Sequence, residues 1–138
     1  NLGQGRITGR DGDFLIADVQ GSTVRIPVRR SSVESGAVTF GVRPEKVSVK
    51  RTQPEGTGND VRGTVLDVSF IGVATQYLVR LPSGTVWSAY EQNLDLEPMD
   101  LRPGADVWLT WNPGHAFGVE PDPEAVQAAE AAKVGALE

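Results

Sequence analysis

Phe14-Leu-Ile-Ala-Asp-Val-Gln-Gly21-Ser-Thr-Val24 and Tyr77-Leu-Val-Arg-Leu-Pro-Ser-Gly84-Thr-Val86 share one layout. In each, an aromatic residue opens an apolar stretch and a turn glycine follows seven positions later, with 63 residues separating both landmarks. A second pair lies further along. Gly36-Ala-Val-Thr-Phe-Gly-Val-Arg-Pro44 parallels Gly104-Ala-Asp-Val-Trp-Leu-Thr-Trp-Asn-Pro113, at spacings of 68 and 69. Four landmarks in the same order indicate an internal duplication. The chain therefore divides into a first unit over 1–54, a polar linker over 55–60, a second unit over 61–120 and a tail over 121–138.

Both units read as β structure. Val24, Ile26 and Val28 alternate with Thr23, Arg25 and Pro27, the period of a half-buried strand. Tyr77, Val79 and Leu81 repeat that pattern, as do Val107, Leu109 and Trp111. Between them stand turn residues: Arg10-Asp-Gly-Asp13, Gln20-Gly-Ser22, Pro82-Ser-Gly84 and Asn112-Pro-Gly114. Short strands at regular spacing predict an all-β chain of small barrels or sandwiches. Over Val61–Ile71 the apolar phase slips from Val61 and Val65 to Leu66, Val68 and Phe70, which predicts a β-bulge. After Pro121 the pattern changes to Pro and acids followed by Ala-rich sequence, the signature of a short C-terminal helix or frayed tail.

Composition narrows the functional classes. The chain has 138 residues, 39% hydrophobic and 22% charged, enough for one domain or two very small ones sharing a core. No apolar run reaches the roughly 18 residues of a membrane span, so direct membrane insertion is not expected. Net charge is −5, with nine basic and seven acidic residues in 1–60 and an acidic excess thereafter. Without a basic cluster the chain is a poor nucleic-acid ligand, since phosphate contacts supply most of that affinity. It has no cysteine, which removes disulfides, zinc–thiolate sites and thiol catalysis together.

Catalytic constellations are equally scarce. Lys46, Lys50 and Lys133 follow Glu, Val and Ala, so the chain lacks the Gly-Lys pair with which a P-loop cradles phosphate. His115, in Asn112-Pro-Gly-His115, is the one histidine and reads as a turn residue. Asp95, Glu97 and Asp100 offer oxygen ligands, but their spacing lacks the glycine and terminal glutamate of a calcium loop and reads as a solvated acidic loop. Trp87, Trp108 and Trp111 all fall in strand patterns. If Leu109 and Trp111 face inward, Trp108 faces out, which makes it the candidate interface residue.

One motif carries a family resemblance. Gly41-Val-Arg43-Pro44-Glu45, followed by Lys46-Val-Ser-Val49, resembles the Gly-[Val/Ile]-Arg-Pro-Glu signature of the C-terminal regulatory (TOBE) domain of ATP-binding-cassette (ABC) importer ATPases. Asn1-Leu-Gly-Gln-Gly5-Arg-Ile7 resembles the entry into that domain, and Gly63-Thr-Val-Leu-Asp-Val-Ser-Phe70-Ile-Gly72 the strand opening its second unit. Trp108-Leu-Thr-Trp111-Asn-Pro-Gly-His115-Ala-Phe117 resembles the terminal strand pair of the polyamine-type subgroup. The resemblance implies two small OB-like β-barrel units and a non-catalytic regulatory and dimerisation domain. ATP and magnesium would bind the ATPase domain upstream, so no cofactor, metal or catalytic residue is expected in this chain. Gly41, Arg43, Pro44 and Glu45 would be structural first, with Pro44 fixing a turn, and ligand-binding second. The implied partners are a second copy and, through the ATPase domain, membrane permease subunits, on the cytoplasmic side of the membrane. The terminal strand pair points to a polyamine as solute, with iron, sugars, phosphonates and sulfate left open. Two other readings stay open: a sensor of a small oxyanion or solute, and an oligonucleotide-binding OB module.

The missing Gly-Lys pair predicts that the purified chain shows no magnesium-dependent ATP turnover. Hydrolysis above background in a coupled assay would contradict this.

Overall fold

The computed structural model describes residues 1–53, 59–92 and 101–121. The acidic run Asp95–Asp100, most of the linker and the tail beyond residue 121 lie outside these described residues. The rest is β structure with three single-turn 3₁₀ segments.

The first half forms β1 (Leu2–Asp11), β2 (Phe14–Val19), β3 (Ser22–Pro27), β4 (Gly36–Gly41) and β5 (Ser48–Lys50). The second forms β6 (Asp60–Ile71), β7 (Ala74–Arg80), β8 (Val86–Gln92), β9 (Asp106–Thr110) and β10 (Phe117–Val119). Paired positions repeat down to the backbone angles. Gly12 and Gly72 have φ of 58° and 60°, Gly21 and Gly84 90° and 91°, and Gly36 and Gly104 75° and 93°. Such positive φ values suit glycine, which has no Cβ to clash.

The two sheets do not divide at the linker. One runs β10-β4-β1-β2-β3 and the other β5-β9-β6-β7-β8, all neighbours antiparallel. Each half thus lends its last strand to the other half's sheet. The 3₁₀ turns Pro44–Lys46 and Pro113–His115 make the two crossings. Each sheet also curls toward closure. In the first, the Ser32 amide donates to the Gly118 carbonyl at 3.0 Å, beside a parallel bridge between Ser31 and Gly118. In the second, the Val49 amide of β5 donates to Glu91 Oε1 of β8 at 2.8 Å.

Register explains which side chains are buried. The expected slip in β6 is a bulge between Val65 and Asp67. β1 carries the matching bulge between Ile7 and Gly9. Val24, Ile26, Tyr77, Val79, Leu81, Val107, Leu109 and Trp111 are all buried, as the alternation predicts. Val28 departs from it: its amide still donates to the Asp13 carbonyl at 2.9 Å, but the chain turns there into the 3₁₀ segment Val28–Arg30 and leaves the side chain half-buried. Buried residues of both sheets merge into one hydrophobic core.

Strand approach in β6 depends on Gly63. A Cβ there would meet the Val79 side chain and, at 2.9 Å, the Arg80 carbonyl oxygen, which is backbone and cannot swing away. Gly63→Ala should therefore destabilise by about 1–3 kcal/mol in urea unfolding. Gly9→Ala has open space around its Cβ and should stay within about 0.5 kcal/mol of the parent. Equal effects of the two would contradict this packing.

Candidate functional site

The signature Gly41-Val-Arg43-Pro44-Glu45 sits where β4 ends and the chain crosses to the other sheet. Gly41 pairs with Phe117 of β10, whose ring covers the space a Cβ would need. Val42 is fully buried. Pro44 takes the first position of the 3₁₀ turn, where its fixed φ is preorganised and a missing N–H costs nothing. The Lys46 amide donates to the Arg43 carbonyl at 2.9 Å and the Val47 amide to the Pro44 carbonyl at 3.2 Å. In the second half the His115 amide donates to the Asn112 carbonyl at 2.9 Å and the Ala116 amide to the Pro113 carbonyl at 3.2 Å. The two crossings share one geometry while their side chains differ.

That comparison separates scaffold from chemistry. Pro44 and Pro113 are equivalent, but Arg43-Glu45 stands where the second crossing has Asn112-Gly114. Arg43 and Glu45 approach to 4.0 Å with both side chains largely exposed, a loose surface ion pair of little energetic value. His115 stands at the end of the second turn, and the Asn112 carboxamide oxygen accepts the Gly114 amide at 2.8 Å. Among the described residues no group of three His, Asp or Glu side chains is placed to hold a metal ion.

A cleft of about 310 Å³ opens between the halves. Its walls include the β2–β3 turn, the start of β6, the β7–β8 turn, Trp87 and Trp108. Trp108 is half-buried and lines this cleft. Its cross-strand neighbours are Lys50 of β5 and Arg62 of β6. Arg62 also reaches Asp106 at 3.7 Å.

Gln20 holds the cleft together and carried no signal in the sequence beyond its place before Gly21. It is the one non-glycine described residue with positive φ, 55°, and with Gly21 it forms the tight loop joining β2 to β3. From there its amide nitrogen donates to the Thr85 hydroxyl at 3.2 Å, and its Oε1 accepts the Ser83 hydroxyl at 2.7 Å. The turns of the two halves are thus bonded to each other. An indole face, a guanidinium and hydroxyls make a surface suited to binding a molecule, and these residues supply no nucleophile–base pair.

A TOBE domain family model matches residues 40–119, which takes in the signature turn, the cleft residues of the second half and both crossings. The spermidine/putrescine import ATP-binding protein PotA of Acidothermus cellulolyticus is 30% identical over 103 residues, which are 75% of this chain and 27% of that protein. PotA of Rubrobacter xylanophilus is 40% identical over 81 residues, 59% of this chain and 20% of its own length. The putrescine transport ATP-binding protein PotG of Escherichia coli is 30% identical over 114 residues, 80% of this chain and 30% of that protein. The chain thus spans under a third of these curated relatives. Among solved structures, the cytoplasmic molybdate-binding protein ModG matches with a TM-score of 0.74 at 16% identity, covering 88% of this chain and 96% of that one. That match shows the fold, two OB-like units in one chain.

Exposure of the Arg43–Glu45 pair predicts that Arg43→Ala shifts stability by under about 0.5 kcal/mol. Phe40→Ala, at a fully buried position three residues earlier, should cost about 3–5 kcal/mol. A large loss from Arg43→Ala in thermal unfolding would show that the guanidinium has a structural partner beyond Glu45.

Proposed function

Because the chain belongs to the TOBE domain family, we propose that it is the non-catalytic regulatory and dimerisation domain of an ABC importer ATP-binding subunit. The observation that carries this reading is the match to the spermidine/putrescine import ATP-binding protein PotA and the putrescine transport ATP-binding protein PotG, over 59–80% of this chain. A polyamine is accordingly the proposed solute, and nothing in this domain need touch it. ATP and magnesium belong to the ATPase part of such a subunit, as do contacts with the membrane permease. Among the described residues no helix is long and apolar enough to cross a membrane. The proposed place of work is the cytoplasmic side of the membrane, held there through the permease.

The fold suits a tether. Strand exchange and the bonded turns make one half difficult to displace without breaking the other. A domain of that kind, paired with its own copy, keeps two motor halves near each other as they open and close, raising their effective concentration. The cleft beside Trp108 supports a second reading, a domain that senses a small solute or oxyanion.

Light scattering across a concentration series should show dimer growing in, with a dissociation constant of roughly micromolar or weaker. Calorimetry with spermidine, sulfate and molybdate should show no binding below about millimolar. A strictly monomeric chain at near-millimolar concentration would sink the tethering role. Tight binding of one of the three solutes would favour the sensor.

A further inference from the structure

The duplication lets equivalent surface turns be compared, and the β6–β7 tip departs sharply from its counterpart. The β1–β2 and β6–β7 hairpins close with the same two-residue loop. Asp11 pairs with Phe14 around Gly12-Asp13, and Ile71 pairs with Ala74 around Gly72-Val73. Their glycines have φ of 58° and 60°, so the backbones turn alike. The tip of the first is Arg10-Asp11-Gly12-Asp13, three charges around a glycine, as a solvated loop should be. The tip of the second is Phe70-Ile71-Gly72-Val73. All three charged positions are apolar, and they are 72%, 56% and 76% exposed.

Geometry makes the difference larger. β6 has 12 residues against 10 in β1, so the second hairpin projects further beyond its bulge. Phe70 pairs with Thr75, which is buried, so the ring lies on the core-facing side of the sheet but past the end of the core. Ile71 lies on the opposite face, and Val73 caps the turn. Thus three bulky side chains surround one loop, and among the described residues none covers them. Isolated exposed apolar residues are ordinary; three at one projecting tip, where the sister tip has none, mark an interaction site.

We propose that this tip, Phe70, Ile71 and Val73, is the surface through which two copies of the chain pair, each tip packing on the other about a two-fold axis. This rests on the self-association proposed above and names its contact. Charge selects the occupant. The chain carries −5 overall, yet from Leu66 to Val79 its one charged side chain is Asp67. Two acidic copies meet with least repulsion through their uncharged hairpins. A lipid surface would require flanking lysines or arginines to draw the tip to anionic headgroups, and the hairpin has none over that stretch. Three side chains cover less than the roughly 800 Å² per partner of a stable complex. The contact is therefore weak in solution and strengthens where two copies are already held close, as in a paired motor.

The test grafts one tip onto the other. The triple variant Phe70→Arg, Ile71→Asp, Val73→Asp reproduces the sister loop on the same backbone turn, so circular dichroism and melting temperature should be preserved. Sedimentation across a concentration series should show its dimerisation weakened at least about tenfold. Because the chain has no cysteine, Val73→Cys gives a second readout should the graft fail to fold: mild oxidation should link two copies, while Asp13→Cys at the sister tip should link far more slowly. Undiminished dimer in the graft, or equal linking at 73 and 13, overturns the tip as the contact and leaves tethering intact. A monomeric parent chain at near-millimolar concentration overturns tethering itself. Binding of the parent chain, but not the graft, to phosphatidylcholine vesicles would overturn the second copy in favour of lipid.

Discussion

Phe40, Trp87 and Trp111 meet where the two halves touch, and the rest of the structure is arranged around that contact. Phe40 comes from β4 of the first sheet, Trp87 from β8 of the second, and Trp111 from the segment just past β9. Phe40 stacks on Trp87 with ring centres 5.9 Å apart and planes 17° apart, and both rings tilt against Trp111 at 5.5 and 5.7 Å. Aromatic pairs in such offset and tilted geometries add about 0.5–1.5 kcal/mol each beyond the area they bury. The Trp87 indole N–H donates across the joint to the Leu2 carbonyl at 3.0 Å. The Trp111 indole nitrogen is buried and has no hydrogen-bond partner among the described residues, so its ring contacts carry its packing there. Neither half could expose this trio to water and remain a small stable barrel.

Much of this was readable in advance, and the reason is periodicity. Turn landmarks repeated at 63 to 69 residues stand at equivalent places in the two halves: Gly21 and Gly84, Gly36 and Gly104, Pro44 and Pro113, whereas Phe14 opens β2 beside its turn and Tyr77 lies inside β7. The β6 bulge showed as an apolar phase slip because Val65, Leu66 and Val68 straddle it. Its twin in β1 left no trace, since Thr8 and Gly9 around that bulge carry no apolar phase to shift. Strand exchange was also hidden. β5 and β10 have three residues each, too few for their pattern to say which sheet receives them.

The candidate site was legible only in part, for a physical reason. A turn motif such as Gly41–Glu45 is local, so its residues announce themselves in order along the chain. The cleft is assembled from five separate segments, and Gln20 enters it through a backbone angle that composition does not reveal. Trp108 was legible as facing away from the core. That this direction leads into a cleft between halves follows from how the sheets meet. The exposed β6–β7 tip needed the structure as well, because only pairing around Gly12 and Gly72 shows that two unlike tetrapeptides occupy the same place.

A domain proposed as a tether must resist coming apart at its own joint; the exchanged strands and the aromatic trio place that joint inside one core, and the Gln20 bonds close its exposed edge. Native-state amide hydrogen exchange in low urea measures this directly, by comparing opening free energies of core amides in the two sheets. Val24 and Val38 in the first sheet and Val79 and Val107 in the second are all fully buried. Interlocked halves predict one shared opening free energy, equal to that of global unfolding. A set of first-sheet amides opening at distinctly lower free energy than the second-sheet set would contradict the account.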